Sequence, residues 1–333
     1  MRDLTLKQIG EFSLIDLIKE DTVHNKDTVI EGIGDDAAVV STTEGYLQLL
    51  TTDMLVENIH FNLNFTDFYK LGNKAIAVNL SDIAAMGGVP RQALISMALP
   101  KDTEIKNILE LYKGMKDICK KFSVNIVGGD TVSTFGPIVI NVALVGEVKK
   151  ENLVKRSGAQ VGDLLLVSGA LGSSAAGLEI LQNDLKDKFD FAKELIKKHL
   201  VPNPRVELGQ LLGKNKATSI DDISDGLASE CNEIASASQV GIRIYKEKIP
   251  VSKEVHAVAE YLNKSYVDYA LYGGEDFELL FTMNPRDLEN FSKKNIADIF
   301  VIGEIVNVKE GVTIVDFDGQ STILEAKGYN HFR

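Results

Sequence analysis

The sequence predicts an α/β (α+β) protein of two domains, and three observations carry that expectation. Its 333 residues make about two domains at roughly 100 to 200 residues each. Apolar residues are 44% and charged residues 25% of the chain, with 7 Pro and 27 Gly, which excludes collagen, short disulfide scaffolds and disordered chains. Strand-like runs alternate with helix-like stretches, a pattern foreign to an all-β sandwich.

Taken in order, the N-terminal stretch MRDLTLKQIGEFSLIDLIKE interleaves charges with apolar residues at helical spacing. It has no apolar h-region, and no run in the chain approaches 18 apolar residues, so neither secretion nor membrane insertion is expected. Strands are expected at Ala37 to Val40, Tyr46 to Thr51, Arg91 to Leu99, Val124 to Val127 and Ile138 to Val148. Helical periodicity covers Thr66 to Met86 and Thr103 to Phe122, the second with Thr103 as N-cap shortly after Pro100. The charged cluster Lys149, Lys150, Glu151, Asn152 marks the boundary between domains 1–148 and 149–333. Beyond it come a strand at Asp163 to Ser168, a Gly-rich turn, and a helix over Ser174 to Gln182. A later strand, Phe277 to Thr282, places Phe277, Leu279 and Phe281 on one face. VALVGEV at 142–148 and FVIGEIV at 300–306 are alike, as are GGD at 128–130 and GGED at 273–276, a weak hint of two related domains.

The net charge of -12 argues against binding nucleic acid or an anionic membrane. A chain this acidic needs cations to handle anions. Cys119 and Cys231 match no metal or redox spacing and read as reduced thiols of a cytoplasmic protein. No G-x-G-x-x-G follows a first strand, no H-E-x-x-H occurs and the five histidines form no cluster, so dinucleotide oxidoreductases and zinc hydrolases lose their support. The turn GALGSSAAG at 169–177 lacks the lysine of a Walker A loop. Its N–H groups either hold phosphate oxygens or simply open a Ser-capped helix.

The informative feature is a series of acids beside Gly or Thr where strands or helices are expected to end. They are Asp35 and Asp36 in GIGDD, Asp53 in TTDM, Asp82 in NLSDIAAMGG, Asp130 in GGDT, and Asp222 and Asp225 in DDISDG. Any one alone is an ordinary turn or capping residue; their number is not ordinary. Leu71, Ala75, Val78 and Asp82 share one helical face while Ile76, Leu80 and Ile83 cover the other, so Asp82 sits on a helix buried on both sides. A carboxylate there needs a partner, either a neighbouring loop or Mg²⁺. In TTDM, oxygen donors are expected at the carboxyl end of a strand, where α/β sheets bind ligands.

The ordered series GIGDDAAVV, TTDMLVENIHF, KAIAVNLSDIAAMGG, GGDT, KRSGAQVGD, ISDGLASE, GGEDFELLFT and KGYNHF closely resembles the thiamine-monophosphate kinase family. That family belongs to the ATP-binding superfamily of aminoimidazole ribonucleotide synthetase, and the similarity runs from about residue 10 to 332. The resemblance implies ATP-dependent phosphorylation of thiamine monophosphate to thiamine diphosphate, two domains of the synthetase type, and a homodimer formed through the N-terminal domains. It implies Asp36, Thr52, Asp53, Asp82, Asp130, Asp222 and Asp225 as ligands of several Mg²⁺ ions, with Thr51 as a further donor. Among these, Asp53, Asp82, Asp130 and Asp222 are the expected catalytic acids. ATP falls to Tyr112, Gly129, Arg156 and Ser224, and the substrate to His60, Glu275 and Tyr329, the last standing where many relatives carry Trp. A requirement for K⁺ stays open.

The chemistry agrees with these residues. The acceptor phosphate has a second pKa near 6, so it is mostly dianionic at neutral pH and needs no base. Two anions must instead be neutralised and held in line, which acids with Mg²⁺ do. Arg156 is the main basic candidate for a phosphate contact. The nearest alternatives are a sister synthetase, although residues 1–40 lack the reactive Cys of selenophosphate synthetases, and a non-catalytic metal-binding scaffold.

Overall fold

The computed structural model describes residues 17–18, 20–24, 29–31, 39–40, 43–292 and 298–328. Its chain divides into two compact units, residues 1–83 with 88–150, and residues 84–87 with 151–333.

In the first unit, β1 (Val29–Glu31) pairs antiparallel with β2 (Val39–Val40). The main sheet holds β3 (Tyr46–Val56), β4 (Val89–Pro100), β5 (Asn125–Thr134) and β6 (Val139–Lys149) in the order β3-β6-β4-β5. β6 is antiparallel to β3 and β4, while β4 and β5 are parallel. Burial alternates along β6, with Ile140, Val142 and Leu144 buried and their neighbours partly open. One face of the sheet is therefore covered and the other is not. On the open face Leu50 is 75% exposed and Met54, Leu94 and Val132 are exposed as well.

Two helices, α1 (Phe68–Ala85) and α2 (Ile105–Phe122), belong to this unit. The core of α1 takes in Leu71, Ala75 and Val78 as well as Ile76, Leu80 and Ile83, the two buried sides that the periodicity predicts. A Cβ on Gly72 would lie 1.9 Å from the Leu111 carbonyl oxygen, and one on Gly114 1.9 Å from that of Tyr69. The helices thus cross in backbone contact, which any larger residue would force apart. α2 begins two residues later than expected. Glu104 is its N-cap without a side-chain bond, and the Thr103 hydroxyl donates instead to Pro100 O at 2.7 Å. This ties off the preceding turn rather than capping the helix.

Two strands overrun their sequence boundaries, and both matter for the acids. β3 continues through Thr51, Thr52 and Asp53 to Val56, and β5 through the GGDT motif to Thr134. Asp53 and Asp130 therefore lie inside strands. Ladder pairing is a backbone property, so polar side chains do not end it on an outer strand that has one side open.

The second unit contains, in chain order, β7 (Leu164–Ser168), α3 (Ser173–Gln182), α4 (Ala192–Leu200), α5 (Val206–Lys214), β8 (Ser219–Asp222), α6 (Leu227–Ser238) and β9 (Gly241–Tyr245). It continues with α7 (Lys253–Tyr261), α8 (Tyr266–Tyr272), β10 (Leu279–Met283), α9 (Pro285–Ser292), β11 (Ile299–Val306), β12 (Val312–Val315) and β13 (Ser321–Ile323). Among the described residues these strands form a sheet ordered β13-β12-β9-β11-β7-β10-β8, antiparallel except between β9 and β12. Leu165, Val167, Leu280, Ile302 and Ile305 of the sheet pack with Leu227, Cys231 and Ile234 of α6. A smaller core joins α3, α4, α7 and α8 through Ile180, Leu195, Val258 and Tyr269. β10 starts at Leu279, because Phe277 adopts a left-handed φ of 50° and so does not share the face of Leu279 and Phe281.

The internal echo survives in part. VALVGEV and FVIGEIV are both interior strands, β6 and β11, with a register shift beside the glycine. GGD lies in a strand and GGED in a loop, so that likeness does not extend to structure. Cys119 and Cys231 are free and buried, and no helix among the described residues is long and apolar enough to cross a membrane.

Candidate active site

In the first unit the acids gather between β3 and α1. Alternation along β3 turns Thr51 and Asp53 to the same side of the sheet and Thr52 to the other. The buried Asn79 of α1 takes the Asp53 N–H on its Oδ1 at 3.1 Å and donates its Nδ2 to Ala75 O at 3.2 Å, which fixes strand to helix. Thr51 Oγ1 donates to Asp82 Oδ2. Burial pushes the Asp53 carboxyl up to about 7, reinforced by the charge of Asp82 and a hydrogen bond shared with it. Two carboxylates this close cannot both ionise without a counter-charge. Two carboxylates and a hydroxyl are hard oxygen donors, and this set fits Mg²⁺.

Other expected ligands are held elsewhere. Thr52 donates its hydroxyl to Val142 O at 3.0 Å and Asn141 Oδ1 at 3.2 Å, away from Asp53. Asp130 is exposed on β5, opposite Ser96 of β4. Three strand spacings of about 4.8 Å separate the backbones of β3 and β5 by roughly 14 Å, so the sheet does not bring Asp130 to Asp53. Asp36 lies outside the described residues. Among the described residues no three His, Cys, Asp or Glu side chains are grouped to hold a metal.

A Cβ on Gly129 would lie 1.8 Å from the Ile95 carbonyl oxygen, so this position excludes a side chain. The His60 ring accepts the Val56 N–H on Nδ1 at 3.0 Å. That bond places the neutral ring's proton on Nε2. Tyr112 departs from its expected role. It lies in the buried stripe of α2 at 4% exposure, and burial pushes its hydroxyl pKa up. The amphipathic period of α2 makes this a core position, with no face open to a nucleotide.

In the second unit, β8 ends on Asp221 and Asp222, both buried. Arg156 donates from Nε to Asp221 Oδ1 at 2.8 Å and pairs through Nη1 with Glu233 Oε2 at 2.5 Å. The expected phosphate-gripping fork is thus engaged by two carboxylates, and a phosphate would have to share it. Burial pushes Asp221 up to about 7 even against the pull of Arg156, and its Oδ2 has no hydrogen-bond partner among the described residues. Glu230 of α6 accepts the Asp225 N–H at 2.8 Å and the Ser224 N–H at 3.3 Å on Oε1, holding the SDG turn. Burial pushes it up to about 9, and its Oε2 has no hydrogen-bond partner among the described residues. Buried acid oxygens of this kind suit a cation.

Glu275 meets the same turn, its N–H donating to Ser224 O at 2.7 Å. Its φ of 57° is left-handed, a conformation that side-chain-bearing residues hold only where the surroundings enforce it. Tyr329 lies outside the described residues.

Asp221, Glu230 and Glu233 are the site acids that the sequence reading left without a role. The tandem Asp of DDISDG and an acid in the first turn after SDG were the available signals.

The Gly-rich turn also departs from both of its expected roles. Asp276, from a loop about 100 residues away, accepts Gly172 N–H at 2.6 Å and Ser174 N–H at 3.1 Å. A protein carboxylate thus fills the place considered for phosphate and caps α3 in place of a serine. Burial pushes Asp276 up to about 7. This pKa lies above that of an unfolded Asp, so the folded chain keeps a proton that the unfolded chain has lost. The resulting stability is complete below about pH 4 and is lost as pH rises through about 7. Chemical denaturation of wild type and Asp276→Asn should therefore give a stability difference that moves against wild type as pH rises from 5 to 8. A pH-independent difference would contradict the assignment.

Residues 34–148 match the family model described as AIR synthase related protein, N-terminal domain, and residues 160–316 match its C-terminal domain. The thiamine-monophosphate kinase of Aquifex aeolicus (strain VF5) is 42% identical over 329 residues, covering 99% of this chain and 100% of the relative. That of Bacillus subtilis (strain 168) is 39% identical over 330 residues, covering 98% and 100%. A solved structure described as AaThiL complexed with AMPPCP and TMP superposes with a TM-score of 0.78 at 40% identity, covering 99% of each chain. With both domains matched and the likeness running the full length, the chain belongs to the thiamine-monophosphate kinase family.

Proposed function

We propose that this chain transfers a phosphoryl group from ATP to thiamine monophosphate, giving thiamine diphosphate and ADP. The observation that carries the reading is the Asp53–Asp82 pair with Thr51, an oxygen cluster that needs a cation. Full-length relatives bearing the kinase name, and a neighbour solved with AMPPCP and TMP, agree with it.

Mg²⁺ ions held by Asp53, Asp82, Asp222 and Asp225 would neutralise the phosphates of both substrates and the charge developing on the leaving group. The protein's own part is positional. Asn79 and Thr51 orient the paired acids, and Glu230 holds the turn of Ser224 and Asp225. Ser224, Gly129 and Arg156 serve ATP, and His60 and Glu275 the acceptor. The acceptor's dianion attacks directly, since no protein nucleophile is called for.

In this reading residues 1–148 form the ATP- and Mg²⁺-binding domain that pairs with a second copy, and residues 149–333 form the C-terminal domain. The open sheet face of Leu50, Met54, Leu94 and Val132 supports that pairing. The two buried free thiols accord with work in the cytoplasm.

Purified protein with ATP and Mg²⁺ should form thiamine diphosphate from thiamine monophosphate but not from free thiamine. Its rate should keep rising after Mg²⁺ exceeds ATP. Saturation at equimolar Mg²⁺ would count against protein-held ions, and absence of product from the monophosphate would defeat the reading.

A further inference from the structure

Two helices of the second unit, α4 and α3, meet beside the side chain of Glu275. His199, on the last turn of α4, is buried, and its Nδ1 lies 3.2 Å from Glu275 Oε2. Ser174, in the first turn of α3, brings Oγ within 3.1 Å of the same Nδ1. The next residue, Asp276, is bound to the N–H groups of Gly172 and Ser174. Asp276 is thus docked on the start of α3, and the Glu275 side chain on His199 of α4.

A Ser, a His and a Glu in contact invite comparison with a nucleophilic triad, but the geometry excludes it. A triad base uses one ring nitrogen for the hydroxyl and the other for the acid. Here both partners meet Nδ1. Ser174 is moreover 1% exposed, out of reach of any substrate.

What the arrangement does is aim a carboxylate. A carboxylate oxygen does not rest against a nitrogen lone pair, so Nδ1 carries the proton; it is hydrogen-bonded with Ser174 Oγ and stands within ion-pair reach of Glu275 Oε2. The Glu275 main chain is fixed separately, through Ser224 O. Its side chain remains 29% exposed, so the carboxylate is anchored by His199 while part of it stays open to a ligand.

We propose that His199, braced by Ser174, is the positioning residue that orients Glu275 toward the amino group of the acceptor's pyrimidine. It thereby sets acceptor KM and the preference for an amino over an oxo substituent on that ring. This rests on the assignment of Glu275 as an acceptor contact. An aimed carboxylate accepts a hydrogen bond from the amino group and repels an oxo group in its place, and such paired polar contacts discriminate strongly.

The test is steady-state kinetics of the full-length protein with thiamine monophosphate and with its 4-oxo analogue. His199→Ala should raise the KM for thiamine monophosphate about tenfold and shrink the amino-over-oxo preference by a similar factor. KM for ATP should stay within about twofold. His199→Asn, whose Nδ2 stands near the position of Nδ1, should recover most of the loss, and His199→Ala/Glu275→Gln should match Glu275→Gln alone. Ser174→Ala, expected to raise acceptor KM about threefold, serves if His199→Ala does not fold.

An unchanged acceptor KM in His199→Ala, while Glu275→Gln raises it, would overturn the positioning role and leave the Glu275 assignment standing. An unchanged KM and preference in Glu275→Gln would remove the assignment itself, and the proposal with it. Equal rises for ATP and acceptor in His199→Ala, without rescue by Asn, would show a purely structural role and overturn the proposal.

Discussion

Asp53→Asn should lower kcat by about 100-fold or more while leaving the fold intact. The substitution preserves shape and keeps the main-chain bond to Asn79. It removes one of two carboxylates that repel each other in a buried place, where Asp53 already titrates near 7 because of burial and Asp82. In metal-free buffer the variant should therefore unfold at the same temperature as wild type or higher, while losing turnover. That opposition is the mark of a site whose strain serves function rather than stability. Retention of more than about a tenth of wild-type kcat would remove Asp53 from the catalytic acids.

The largest expected loss of stability lies at Glu278. Its buried carboxylate accepts from Arg205 Nε at 2.6 Å, Arg205 Nη2 at 2.7 Å and Ser168 Oγ at 2.7 Å. Ser168 Oγ in turn accepts the Leu279 N–H at 2.8 Å, so the pair is built into the start of β10 and the end of β7. Glu278→Gln keeps the volume but takes away the carboxylate that Arg205 grips with two nitrogens in a partly buried place. Removing one member of such a pair costs about 3 to 4 kcal/mol. At a few degrees per kcal/mol the unfolding midpoint should fall by roughly 10 °C. A shift under about 2 °C would mean that solvent takes over the guanidinium without penalty.

Much of the fold was legible because its signals are local. The two-sided burial of α1 follows from the spacing of Leu71, Ala75, Ile76 and Leu80. The strands β4, β6 and β7 announce themselves as apolar runs. Boundaries failed where backbone pairing outlasts the side-chain pattern, as in β3 beyond Thr51 and β5 beyond Val127. Thr103 failed as a cap because a nearer carbonyl, that of Pro100, claimed its hydroxyl.

The acids proposed to carry the chemistry were conspicuous by their number and by their place in ordered motifs. That Asp53 meets Asp82, that Thr52 faces the opposite way and that Asp130 stands across the sheet follow from strand register and from how α1 lies on β3. The same is true of Arg156, which the structure pairs with Asp221 and Glu233, and of Asp276, which occupies the turn considered for phosphate. The amino-acid sequence alone pointed to the family, the pair of domains and an expected need for cations, because composition and motif order are linear properties. Which carboxylates share a proton, which N–H groups are already taken and what holds Glu275 in place were decided by tertiary structure. Those outcomes depend on groups up to about 100 residues apart, whose distances and burial no local spacing specifies.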